Sequence, residues 1–141
     1  MAALLKGIFV NSTRAIDYAG AIVNGYKTIE TRNRNTLKQL VNNPDPIAII
    51  RTGRGKAQII GYAYIDGVFH CSKADFGKYD NMHLVPPGSR YDAGQHGKYM
   101  YMLSGAEPCK PFELPDNAIR HGFSWCEYMD PNFTVWKAAR V

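Results

Sequence analysis

Apolar residues fall in short runs along this chain, and few runs keep one period for long. Residues 4–10 (Leu-Leu-Lys-Gly-Ile-Phe-Val) read as a first buried strand. Asn11, Ser12 and Thr13 follow as N-cap candidates, and Asp17 stands where a helix start favours negative charge. Ile16, Ala19, Gly20 and Val23 recur at helical spacing, which predicts a helix over roughly 14–24 with one small apolar face. Gly25 suits the left-handed position just past its end. In residues 27–34 the strand formers Thr28, Ile29 and Thr31 are interleaved with charge. Alternation sends Thr28, Glu30, Arg32 and Arg34 to one face and Ile29 and Thr31 to the other. A second short helix is predicted over about 36–42, with Leu37, Leu40 and Val41 inward, and Asn43-Pro44-Asp45-Pro46 ends it.

Beyond this point the pattern is β. Residues 47–52 form a short buried strand and Gly53-Arg54-Gly55-Lys56 a turn. Residues 57–68 alternate Ile60, Tyr62 and Tyr64 against Ile59, Gly61, Ala63 and Ile65, as in a strand covered on both faces. Residues 70–97 scatter Pro, Gly, Asp and His without a period. A stretch that long inside a compact domain is functional or hides an element. Residues 98–105 are another strand, and 107–114, punctuated by Pro108 and Pro111, an edge strand or extended segment. Short strands with one or two early helices predict an α+β fold, a small mixed barrel rather than a βαβ sheet. The length, 141 residues, suits one domain spanning 1–141.

Charge sharpens this picture. The chain carries a net +5, and residues 27–56 hold seven basic side chains against Glu30 and Asp45, so all of the excess lies there. Folded together, these segments would make one positive surface suited to phosphate-bearing partners, or a solvated face that only aids solubility. Cys71, Cys109 and Cys126 are odd in number and widely spaced, and no export signal or membrane span is visible, which predicts free thiols in the cytoplasm. Nothing fixes the oligomeric state.

Most catalytic signatures are missing. His70, His83, His96 and His121 are dispersed, no Cys or His pair has zinc spacing, and no metal or cofactor is expected. The turn at 53–56 lacks Walker spacing and leads into a strand, although it could touch a nucleic-acid backbone. No serine has a nucleophile-elbow context. Lys27, Thr28, Glu30 and Arg32 remain. A lysine partly desolvated at the helix–strand junction could act as base or nucleophile, Glu30 could relay protons or fix that ammonium, and Arg32 could hold a phosphate or base edge. The plainer alternative is an ion pair that only anchors the strand.

The run from Tyr18 to Arg34, with its Tyr-Ala-Gly, Gly25, Lys27-Thr28, Glu30, Arg32 and Arg34, resembles the signature of the ASCH domain, within the PUA-like superfamily. It is most similar to small stand-alone ASCH proteins of the endothelial-overexpressed lipopolysaccharide-associated factor type. The resemblance implies a PUA-like small β-barrel with one or two helices packed at its N-terminal half. It also implies a basic cleft beside the helix–strand junction that accepts RNA or a modified nucleoside and is lined by Lys27, Glu30 and Arg32. Some relatives deacetylate N4-acetylcytidine with a matching lysine and a threonine three residues later; Glu30 holds that place here, with Thr28 nearby. Others have been linked to RNA cleavage.

The expected function is therefore binding of single-stranded RNA or a modified nucleoside, with Lys27, Thr28, Glu30, Arg32, Arg34, Arg51 and Arg54 as contacts. Tyr26 or Tyr64 is the candidate stacking residue. The alternative is a small hydrolase, an amidohydrolase or ribonuclease, working through Lys27 and Glu30. A protein-interaction module is a third reading. Phe123, Trp125, Tyr128, Phe133 and Trp136 form an aromatic cluster, suited to the core or to a cap over the cleft.

Overall fold

Seven strands and three short helices make up the chain in the computed structural model, which describes residues 3–133. In order they are β1 (Ala3–Asn11), α1 (Tyr18–Val23), β2 (Ile29–Arg32), β3 (Ile47–Thr52), β4 (Gln58–Cys71), α2 (Lys73–Phe76), α3 (Asp80–His83), β5 (Lys98–Glu113), β6 (Ile119–His121) and β7 (Trp125–Asp130). The strands form one sheet in the order β2-β5-β4-β3-β1-β7-β6. Only β1 and β3 run parallel. The result is the α+β, barrel-like arrangement that the sequence predicts, with one difference: the sheet is not closed, and β2 and β6 remain its edges.

The central strands read as near-continuous apolar runs because both faces are covered. In β3, Ile47 and Ile49 join one core cluster with Ile8, Ile22, Met100 and Leu103, while Ala48 and Ile50 join a second with Leu5, Ile59, Tyr62 and Tyr128. Helix α1 covers the first cluster. It is shorter than the periodicity predicts, because Asp17 is the N-cap itself, its Oδ1 accepting the Gly20 N–H at 3.0 Å. Gly61 on β4 lies directly under the helix: a β-carbon there would stand 2.5 Å from Val23 Cγ1 and 2.4 Å from the Glu107 carbonyl. After the helix, Gly25 takes φ +81°, which turns the chain from α1 toward β2.

Two predicted elements change form. The helix expected over 36–42 is a single 3-10 turn, Lys38–Leu40, with Leu37 and Leu40 fully buried. The two segments predicted at 98–105 and 107–114 are one long strand. Only its first half is paired on both sides, Tyr99–Met102 with β2 and Lys98–Ser104 with β4. The half bearing Pro108 and Pro111 borders β4 alone, so the missing N–H groups face an unpaired edge. Residues 70–97 hide the elements α2 and α3, followed by a loop that returns across the end of the sheet.

Candidate ligand-binding cavity

Strand β2 carries the charged motif. Its two-residue period puts Glu30 and Arg32 side by side, and Glu30 Oε2 accepts from Arg32 Nε at 3.2 Å and from the terminal guanidinium nitrogen at 2.9 Å. The same nitrogen donates to the Phe9 carbonyl of β1 at 2.6 Å. Strands four places apart in the sheet order are thereby within one side chain of each other, so the open sheet curls strongly. Lys27 precedes the strand and is 2% exposed. Its Nζ lies 3.7 Å from Glu30 Oε1, donates to the His83 carbonyl and sits 5.1 Å from the Tyr18 ring centroid. Burial, countered by Glu30, holds the Lys27 ammonium below its ordinary pKa.

These three residues form part of the wall of a cavity of about 550 Å³, within the roughly 300–1,000 Å³ of small-molecule pockets. Phe9, Val10 and Asn11 of β1, Tyr18 of α1, and Val85, Arg90 and Tyr91 of the returning loop complete much of the wall. Lys98 at the start of β5 also contributes, as do Arg120 and Phe123 around the β6–β7 turn. Tyr91 is fixed by a 2.7 Å hydrogen bond from Asn11 Nδ2 and an edge contact with Tyr18 at 5.8 Å. Phe123 is 97% exposed at the mouth.

Of the predicted contacts, Lys27, Glu30 and Arg32 meet in the cavity and the others do not. Thr28 is exposed and lines a separate apolar groove with Met82 and Met102, its backbone pairing with Met82 and Leu103. Arg34 is exposed and lies outside the cavity. Arg51 is clamped to Asp17, at 2.7 Å and 3.1 Å, and so ties β3 to the cap of α1. Burial opposes the Asp17 charge, but the Arg51, Gly20 and Ser12 hydrogen bonds prevail and lower its pKa. Arg54 donates to the Thr13 carbonyl at 2.9 Å on an exposed turn. Tyr26 and Tyr64 also lie outside, and the aromatic walls are Tyr18, Tyr91 and Phe123 instead. The aromatic cluster divides: Trp125, Tyr128 and Phe133 are core, Phe123 stands at the mouth, and Trp136 lies outside the described residues.

His83, one of the four dispersed histidines, is a fully buried support. Its Nε2–H donates to the Phe76 carbonyl at 3.0 Å, its Nδ1 accepts the Val85 N–H at 2.9 Å, and its ring stacks on Phe76 at 4.0 Å. That pairing requires the neutral ring. Burial lowers its pKa, and the Lys27 charge reinforces the shift against Phe76 and Asp80. Among the described residues no three His, Cys, Asp or Glu side chains converge as metal ligands.

No family model and no curated relative matches the chain. Solved structures do. The crystal structure of an ASCH protein from Zymomonas mobilis superposes with a TM-score of 0.64, at 20% identity over 94% of both chains. The chain has the ASCH fold. Two single-residue variants of that ASCH protein give the same result. The serine-to-alanine variant has a TM-score of 0.66 at 20% identity over 95% of both chains. The tyrosine-to-phenylalanine variant has 0.63 at 20% identity over 94% of this chain and 96% of that one. No helix among the described residues of this ASCH-fold chain is long and apolar enough to cross a membrane.

Proposed function

We propose that this chain binds one nucleoside unit, either a modified nucleoside or an unpaired residue of single-stranded RNA, in the cavity beside α1 and β2. One observation carries the reading: Glu30, held between Lys27 and Arg32, lies in an aromatic-walled cavity with room for a nucleoside. A base edge offers donors and acceptors together, and a carboxylate flanked by cations answers both. Tyr91 and Phe123 supply faces for stacking, typically worth about 1–3 kcal/mol per base. The motif over residues 18–34 extends the reading to the small stand-alone ASCH proteins. Calorimetric titration with nucleosides and short single-stranded RNA tests it. Binding that Arg32→Ala and Glu30→Gln both abolish is the expected result, and binding indifferent to both variants rejects the cavity.

A second reading, hydrolysis of a modified nucleoside or of RNA, rests on Lys27, whose burial eases loss of its proton against the opposing pull of Glu30. Lys27 would act as base or nucleophile and Glu30 as proton relay. Mass spectrometry of acylated cytidines and RNA oligomers after incubation at stoichiometric protein decides it; absence of turnover leaves binding alone.

A further inference from the structure

The cavity is far more positive than a neutral nucleoside requires. Lys27, Arg32, Arg90, Lys98 and Arg120 line it, and Glu30 is the only carboxylate among the described residues that line it. Lys27 and Arg32 are already committed to Glu30 and to the backbone carbonyls of His83 and Phe9. Arg120 and Arg90 lie over the Phe9 and Tyr91 rings. Lys98 differs from all of these. It is 4% exposed, yet it has no hydrogen-bond or ion-pair partner among the described residues. Asp92, the other carboxylate that acts on it electrostatically, is occupied by the Gly88 and Ala93 N–H groups at 2.7 Å and 2.8 Å. A lysine this enclosed, with no acceptor for its ammonium, is poorly solvated, and burial accordingly pushes its pKa down. Its position in the cavity wall leaves it available to an anion that enters from outside.

We infer that the cavity takes a nucleotide rather than a bare nucleoside, with the phosphate ester held against Lys98 and with Arg90 and Arg120 adding charge at the mouth. This rests on the nucleoside reading above and names its ligand class. Phosphate supplies the acceptor oxygens that Lys98 lacks, and its negative charge balances the surplus cations. A neutral nucleoside brings no negative charge to set against Lys98.

The test is calorimetric titration of the protein and of Lys98→Met, which keeps the aliphatic stem. The probes are the four common nucleosides, their 5′- and 3′-monophosphates, dinucleotides joined by a single phosphodiester, and inorganic phosphate. A charge-assisted contact predicts that a monophosphate binds about tenfold or more tightly than its nucleoside. In Lys98→Met that advantage, read as the ratio of monophosphate to nucleoside affinity within the variant, falls to within about threefold of unity, a factor below one charge-assisted bond. The unliganded variant melts no lower than the parent, because a poorly solvated charge without an ion-pair partner has been removed. Comparing monophosphates with the dinucleotides distinguishes a terminal phosphate from a strand phosphodiester. Equal affinity for nucleoside and nucleotide, or an advantage that survives Lys98→Met, overturns this inference and leaves nucleoside binding standing. Failure of every nucleoside and nucleotide to bind removes both.

Discussion

Glu30 carries the local electrostatics of the cavity, because two cations rely on it and one of them is buried. Removing it strands the Lys27 ammonium beside a single carbonyl and a tyrosine ring. Glu30→Ala should therefore destabilise the fold by about 3 kcal/mol in urea denaturation. The double variant Lys27→Met/Glu30→Ala should recover much of that loss, and simple additivity of the two changes would contradict the coupling. His83 has a separate signature. Its folded pKa lies below the ordinary value of about 6.5, so the unfolded chain takes up the proton first. The stability it contributes is complete above that pH and is lost as pH falls through it toward the lower folded value. The melting temperature should drop between pH 7.5 and 5.5, and it should drop less in His83→Gln; equal drops would remove His83 as the cause. Of these residues, Glu30 and Arg32 are legible in sequence because two-residue spacing puts them on one face of a strand, and Lys27, which precedes that strand, is legible from the ASCH-like motif. Tyr91, Lys98 and Phe123 are not, since only the chain's path places them opposite that strand.

Among the elements, the boundaries moved more than the types. Helix α1 was legible from its small apolar stripe, but its start depended on Asp17, whose carboxylate also collects Arg51 from β3. That ion pair accounts for Arg51 without a ligand. Arg51→Ala is expected to cost about 1 kcal/mol of stability, since the pair is only partly exposed and bidentate. Nucleotide affinity should stay unchanged, and a large loss of affinity in a well-folded Arg51→Ala protein would return that residue to the binding surface. The prolines of β5 marked its edge half, but not that this half continues the strand begun at Lys98, because no local signal reveals where a neighbouring strand ends. The loop before β5 had no period to read because it follows the rim of the cavity and obeys the shape of the wall.

At the scale of the whole molecule, charge that is concentrated in sequence is dispersed in space. The basic surplus of residues 27–56 divides among the cavity, a helix clamp and exposed turns, while Arg90, Lys98 and Arg120 from a net-neutral remainder gather in the cavity. A count along the chain could not show this, because the topology folds distant segments onto one mouth. The measurable consequence is selective. Replacing Arg34 and Arg54 together with Ala should alter affinity for single-stranded RNA by no more than about twofold, as expected of exposed charges. Replacing Arg90 and Arg120 should weaken it by about tenfold and flatten its dependence on salt. The reverse ranking, measured at two ionic strengths, would relocate the interface to the turns.

Phe9 joins the two sides of that mouth. Its N–H donates to the Ser124 carbonyl at 3.0 Å, in the turn that carries Phe123, and its carbonyl receives Arg32. A single residue of β1 thus tethers the gatepost on one side to the charged floor on the other. Arg32 and the Phe123 turn are therefore only one residue's backbone apart, although their strands lie far apart along the chain.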